Sequence, residues 1–317
     1  MFISSGQSLK CRYTKLMGEV KDEVKKKRVS YSQYSTWWKC GHKWYLDNIK
    51  GLKKFEGSVN TCFGTAIHEV LQKYIETLYT VGHEAADSIK MFDTFKSSFD
   101  IELAKAREEG MKYTEDEYVE FCFDAQDILE EFTESSNRLK NFPSKKYEFI
   151  GSELPIELDI KHNVQFVAFI DLVLKEKTTG KYKIIDFKTS STGWNSYMKE
   201  DESKYSQLLL YKAFYSKKFN VPLDKIEVEF FILKRKLYEG VAFPQNRLQL
   251  FSPVNTKSHI IESINNFSDF VTECFHPTGK YNEDIKYLKN PGKGKKNCKY
   301  CIHKKVNCDA KDEVNTD

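Results

Sequence analysis

The 317-residue chain predicts an α/β fold, a β-sheet with helices before and after it, and three observations carry that expectation. The first is the run from Phe166 to Thr189: FVAFIDLVLKE, a short polar turn, then KYKIIDFKT. Its halves are apolar or alternating, with Thr179-Gly180 between them, which is a hairpin signature. The second is TAIHEVLQKYIETLY, where Ile67, Val70, Leu71, Tyr74, Ile75 and Leu78 recur at helical spacing. The third lies beyond the hairpin: the helical KYSQLLLYKAFYSKKF, then the strand-like IEVEFFILK.

Taken in order, residues 1–29 are polar and poorly patterned and are expected to be a flexible arm. Ser30 with Gln33 forms a capping box for a helix that carries Cys40. Gly64-Thr65 marks the start of the next helix and places His68 on its first turn or so. A helical region at about 80–145 includes a second capping signature, Thr114 with Glu117, before EYVEFCFDAQDILEEF. It reads as an insertion between His68 and the sheet, an arch or wall that shapes access to a site. FIGSELPIELDI is a strand-like run carrying Glu153 ahead of the hairpin. An apolar helix near 256–275 leads to Pro277, a Gly/Lys-rich loop and a cysteine cluster at 298–308. Residues 30–308 are read as one domain, and 309–317 as a disordered polar tail.

A hydrophobic fraction of 40% and an aromatic fraction of 14% exclude a disordered chain. With no signal peptide or long apolar run, an intracellular, cytoplasmic protein without a membrane partner is expected. The formal charge of +4 does not by itself indicate nucleic-acid binding. Lysines are nevertheless clustered, in Lys25-Lys26-Lys27-Arg28 and in Lys293, Lys295, Lys296, Lys299, Lys304 and Lys305 around the cysteines. Such runs either contact phosphates in a salt-dependent way or form a solvated face. No Gly-rich phosphate loop followed by Lys-Ser/Thr is present, so no motor is fused to this chain.

The chemistry concentrates in the hairpin. A turn closing around Thr178-Thr179 puts Asp171 opposite or nearly opposite Asp186, and Lys188 on the face of Asp186. Facing carboxylates repel and raise each other's pKa unless a cation lies between them. A divalent metal resolves that repulsion, with the lysine beside it to hold a phosphate or a water. The plainer alternative is a surface hairpin with solvated acids and lysines. His68 alone reads as a structural histidine, and Glu69 points elsewhere on its helix. Gln207 and Tyr211 stack at i, i+4, either reaching a nucleic-acid backbone or tipping a buried helix.

Together, Gly64-x-x-x-His68, Glu153, Asp171, Asp186-x-Lys188 and Gln207-x-x-x-Tyr211 resemble the motif series of RecB-family nucleases in the PD-(D/E)XK superfamily. The resemblance covers about residues 30–310. It implies a restriction-endonuclease-like mixed central sheet flanked by helices. One departure is Ala168, where the family often has glycine three residues before the hairpin aspartate. The resemblance implies that His68, Asp171, Asp186 and the Phe187 carbonyl hold Mg²⁺ or Mn²⁺. It gives Lys188 the attacking water or the oxyanion, Glu153 a water-mediated reach to the metal, and Gln207 and Tyr211 the DNA backbone.

Of eight cysteines, Cys298, Cys301 and Cys308 lie close together and Cys40 far upstream. In an intracellular chain such clusters indicate a metal centre. A local Cys₃His zinc knob with His303 is one reading. The aromatic segment around Cys40 is similar to the first-cysteine segment of AddB-type and CRISPR-adaptation nucleases, although glycine follows it where those have proline. That similarity implies a 4Fe–4S cluster on Cys40, Cys298, Cys301 and Cys308, a staple of the chain's two ends. Cys11, Cys62, Cys122 and Cys274 read as ordinary thiols.

The expected function is a metal-dependent DNA exonuclease, an Mg/Mn-dependent deoxyribonuclease of recombination, repair or viral genome processing. DNA is its partner, with a helicase, recombination or replication protein as the class of protein partner. The alternative is a catalytically weak DNA-binding or assembly module that keeps the fold. A zinc-stabilised RNA-binding protein is a third reading.

Overall fold

A computed structural model describes residues 26–54 and 56–309. Most of the expected N-terminal arm, the thiol of Cys11 and all but the first residue of the expected tail lie outside those residues. The end of the expected arm is not an arm. Lys27–Val29 form strand β1, which runs parallel to a later strand with Val29 opposite Phe166.

Two short helices come next, α1 (Tyr31–Lys39) and α2 (Gly41–Asn48). Ser30 caps α1 by accepting from the Gln33 backbone N–H at 3.5 Å. The reciprocal half of the expected box is not made, because the Gln33 side-chain oxygen is buried without a partner among the described residues. Cys40 lies at the break between α1 and α2, not inside a helix, and its extended backbone ends one helix and begins the other.

Helix α3 (Val59–Thr80) starts earlier than Gly64 suggests, because Ser58 and Thr61 form a complete capping box. His68 therefore sits in the third turn. Gly64 serves close approach instead: a Cβ there would lie 3.4 Å from Thr189 Oγ1. The insertion comprises α4 (His83–Asp87), α5 (Met91–Glu108), α6 (Glu115–Thr133) and α7 (Ser135–Asn141). Thr114 and Glu117 cap α6 as expected. These helices pack as a layer on α3 through Phe63, Phe95, Phe99 and Phe121.

The sheet then forms from β2 (Tyr147–Asp159), β3 (Val164–Glu176) and β4 (Tyr182–Ser190). After α8 (Ser196–Glu200) and α9 (Glu202–Phe219) come β5 (Ile226–Lys234) and β6 (Leu248–Phe251), and α10 (Lys257–Cys274) closes the fold. The strand order is β1-β3-β4-β5-β6, with β2 on the other edge of β3. Pairs β2/β3, β3/β4 and β5/β6 are antiparallel, and β1/β3 and β4/β5 are parallel. The turn closes around Thr178-Thr179, with Lys175 opposite Tyr182.

Alternation along β4 and β5 feeds two cores. Ile184, Val228, Phe230 and Ile232 pack under α9 and α10 with Trp44 of α2. Ile185, Phe187, Phe231 and Leu233 pack under α3, α5 and α6. Trp44 is fully buried among Phe270, Phe275, Tyr281 and Tyr287.

The insertion is fixed to the sheet by a buried ion pair. Arg235 Nη1 lies 2.7 Å from Asp124 Oδ2, Lys236 Nζ lies 2.9 Å from Oδ1, and the guanidinium covers the Phe121 ring at 3.9 Å. Removing one partner of a buried pair strands the other charge at a cost of about 3–5 kcal/mol. Asp124→Ala is expected to lower unfolding stability in urea by about 3 kcal/mol. A loss within experimental error would show that apolar packing alone holds the insertion.

Candidate active site

The site forms where two paired strands part. The last ladder pair of β3 and β4 is Leu172 opposite Ile185. Continuing that register sets Asp171 across from Asp186, but there β3 leaves β4 and goes on to pair with β1. The Phe187 N–H, which would have extended the ladder, donates to Asp171 Oδ2 at 2.7 Å. The N–H and C=O of one extended residue point to the same side, so the Phe187 carbonyl also faces this fork. The phase of β3 slips here too. Val164, Phe166 and Ile170 face the α9 core, and so does Val173, an odd-numbered residue.

The fork admits side chains from both sides of the sheet. From α3, His68 Nδ1 stands 3.7 Å from Asp171 Oδ2, with its ring against Phe187. From β4, Lys188 Nζ lies 2.5 Å from Asp186 Oδ2. The approach is not aligned for a hydrogen bond, and that buried oxygen has no hydrogen-bond partner among the described residues. From α9, the Gln207 amide donates to the Tyr211 hydroxyl at 2.9 Å. Tyr211 is buried rather than presented outward. Burial pushes its phenol pKa up, with the charges of Asp186 and Asp171 adding to the shift.

Glu153 joins the same group by an unusual backbone. Its φ of 46° is left-handed inside strand β2, a conformation that costs a non-glycine residue on the order of 1–3 kcal/mol. Gln72 holds it: the amide donates to Glu153 Oε1 at 2.7 Å and to the Asp171 carbonyl at 3.2 Å. Gln72 was not apparent in the motif series. It lies four residues after His68, one turn along the same helix face, and that spacing was the available signal. Glu69, as expected, faces away, where it accepts from Ser98.

Burial sets the electrostatics. It pushes Asp186 up to about 6, with Lys188 opposing and Asp171 adding. Asp171 is likewise pushed up to about 6 by burial, against the pull of Lys188 and the Phe187 N–H. Burial, then Lys188, pushes His68 down to about 4, so its imidazole is neutral near pH 7.

Among the described residues, no three His, Cys, Asp or Glu side chains are grouped closely enough to hold a metal ion. The donors at the fork still suit a hard divalent cation. They offer two buried carboxylates, one with an oxygen that makes no hydrogen bond among the described residues, and a neutral ring nitrogen. The Lys188 ammonium now supplies the only short cationic contact to Asp186 among the described residues.

The cysteines differ from expectation. Cys40, Cys298, Cys301 and Cys308 are free and half-buried. Burial pushes Cys298 and Cys308 up, with Cys301 and Cys40 adding to both, yet no group among the described residues is placed to hold a metal ion. His303 is no zinc ligand. It is buried, with Nε2 2.7 Å from Asp47 Oδ1 and Nδ1 3.2 Å from the Asn307 amide, so both ring nitrogens are engaged. The helices around Cys40 are tied to the segment around Cys298 by that pair and by Asn297 donating to the Lys39 carbonyl at 2.9 Å.

The raised carboxylates have a consequence for stability. Between about pH 4 and 6 the folded metal-free chain keeps protons that unfolded aspartates, at 3.8, have released. Stability from this source falls as pH rises through that window. His68 acts oppositely and adds stability as pH rises from about 4 to 6.5. Metal-free Asp186→Asn is therefore expected to be more stable than the wild type near pH 8, by on the order of 1 kcal/mol. The gain should vanish near pH 4. A less stable variant at pH 8 would mean that the Lys188 pair outweighs burial.

The family model of the PD-(D/E)XK nuclease superfamily matches residues 28–308. No curated protein matches the chain. A solved structure of a Eubacterium rectale protein, provisionally named an exonuclease, is 12% identical with a TM-score of 0.50. The alignment covers 95% of this chain and 95% of that one, a likeness of fold alone. A second structure, of SSO0001, is 13% identical over 95% of this chain and 94% of that one, with a TM-score of 0.36. The mixed sheet flanked by helices is the restriction-endonuclease-like architecture, and the chain belongs to the PD-(D/E)XK nuclease superfamily.

Proposed function

We propose that the protein is a divalent-metal-dependent DNA exonuclease of the RecB type, serving recombination, repair or viral genome processing. The observation that carries this reading is the fork. There Asp171, Asp186, Lys188 and His68 meet from two strands and a helix, in the order of the motif series. The Eubacterium rectale relative's provisional name is in keeping with exonuclease action.

PD-(D/E)XK nucleases generally use divalent metals such as Mg²⁺. His68, Asp171, Asp186 and the Phe187 carbonyl would hold one here. Such an ion lowers the pKa of a bound water and stabilises charge on the phosphate. The remaining work falls to the side chains. Neutral His68 offers a lone pair without having to lose a proton first. Lys188, once released from Asp186, donates to the attacked phosphate, where developing negative charge strengthens the bond. Gln72 ties Glu153 to the Asp171 backbone, from where Glu153 would reach the metal through a water. Gln207 lines the approach to Lys188, and Tyr211 orients the Gln207 amide.

The 4Fe–4S cluster remains a proposal on the similarity of the cysteine pattern, supported by the approach of Cys40 to the C-terminal thiols. Protein purified without oxygen is expected to carry about four irons per chain with matching sulfide. A folded, iron-free preparation overturns it.

Cleavage is tested on end-labelled single-stranded, double-stranded and circular DNA with Mg²⁺ or Mn²⁺. Asp186→Ala is expected to abolish hydrolysis and spare DNA binding, and linear substrates alone are expected to be cut. Cutting of circles would make the enzyme an endonuclease, and surviving activity in the variant would displace the site. Metal-dependent binding without any cleavage would favour the assembly-module reading. Gln72→Leu is expected to lower kcat by about tenfold, the scale of supporting hydrogen bonds at metal sites. An unchanged kcat would leave Glu153 outside the reaction.

A further inference from the structure

Beside Lys188, on the α9 side of the fork, a cavity of about 270 Å³ is lined by Tyr31, Lys188, Ser190, Trp194, Lys204 and Gln207 among others. It is smaller than the ~300–1,000 Å³ of drug-sized sites, and suits one phosphate with its sugar. Its walls are built rather than loose. Ser190 Oγ both accepts from the Gly193 N–H and donates to the Gly193 carbonyl, each at 3.1 Å. Gln249 clamps the next residue, accepting from the Trp194 N–H at 2.8 Å and donating to its carbonyl at 3.0 Å. Gly193 has φ +91°, and a Cβ there would meet Lys234 Cδ at 2.7 Å and Gln249 Oε1 at 2.8 Å. The loop after β4 is thereby pinned, and Trp194 is set against Phe230 as a back wall.

Lys204 is the unexplained member. It is half-buried and forms no ion pair among the described residues. Its ammonium lies over the Trp194 ring at 5.2 Å from the centroid. Burial lowers its pKa, Asp201 opposes that, and Lys39 and Lys188 lower it further. A partly desolvated cation held beside two other cations is unfavourable in the free protein. An anion seated at Lys204, beside the one that Lys188 meets, offsets that repulsion.

We infer that this cavity seats the phosphate neighbouring the scissile one, and that Lys204 is a substrate-binding residue that fixes the strand's register over Asp186 and Lys188. The inference rests on the nuclease reading for the word scissile, but the binding of a strand phosphate by Lys204 can be measured without cleavage. Trp194 supplies the apolar floor for the attached sugar, and the Tyr31 hydroxyl, donating to the Ser203 carbonyl at 2.8 Å, steadies the start of α9.

The test uses the full chain with Asp186→Asn, titrated against fluorescent single-stranded DNA over a range of salt. Adding Lys204→Gln is expected to weaken binding about tenfold and to reduce the slope of log affinity against log salt by about 0.7, one phosphate contact. Lys204→Arg should restore the slope. An unchanged slope and affinity in Lys204→Gln overturns the inference. A second arm keeps Asp186 and walks a single neutral methylphosphonate along the DNA, with Lys204 intact or replaced by Gln. Wild-type cleavage is expected to fall about tenfold with the substitution next to the cut, and Lys204→Gln to show no further loss there. Independent, multiplicative losses overturn the inference. If no DNA is cleaved at all, the nuclease reading fails and the salt slope still decides Lys204.

Discussion

Everything at the site depends on the parting of β3 and β4 after Leu172 and Ile185. Paired strands satisfy their backbone polar groups in a ladder, and a strand that leaves its neighbour exposes them. Here the exposed Phe187 N–H is taken up by Asp171, which fixes that carboxylate without neutralising it. The partner acid, Asp186, is 2% exposed with one oxygen unpaired in hydrogen bonds. The opening therefore gathers two carboxylates in a place water hardly reaches, with Lys188 as their close cation, and β4 holds its course there because it remains paired to β5 through Ser190.

A closed sheet would keep α3 and α9 on separate faces. The fork lets His68 from one and Lys188, beside the other, address the same two aspartates. Support for that meeting is distributed. Gly64 permits α3 to approach Thr189, and Gln72 binds both Glu153 and the Asp171 backbone. Asp124 and Arg235 lock the insertion against the end of β5. Of the arch or wall expected of the insertion, its helices form a layer behind α3.

Much of this was legible in the sequence, for identifiable reasons. The hairpin register came from its alternation and from a turn that could close in one place, so the facing of Asp171 and Asp186 was available before any coordinates. The element order, helix, three strands, helix, strand, was likewise written in periodicity. Strand β1 was not, since three residues of mixed polarity carry no period of their own and are ordered only by pairing with β3. The start of α3 was misread because Gly64 looked like a boundary, when its small size serves contact with Thr189. His303 looked like a ligand by proximity to cysteines. Its buried bond to Asp47 depends on a residue more than two hundred positions away, which no local pattern reports.

The chain is also interleaved in a way that bears on its synthesis. The core under α3 draws on residues between Val59 and Leu233. The core under α9 and α10 needs Val29, Tyr34 and Trp44 together with Phe270, Phe275 and Tyr287. Synthesis thus releases the aromatic segment around Trp44 well before Phe270, Phe275 and Tyr287, the rings that cover it. Until then, the helices around Trp44 are sticky surface waiting for partners. Lys188 and Lys204 lie over Phe230 and Trp194 of that same core, so the face they share stays open until α10 has followed.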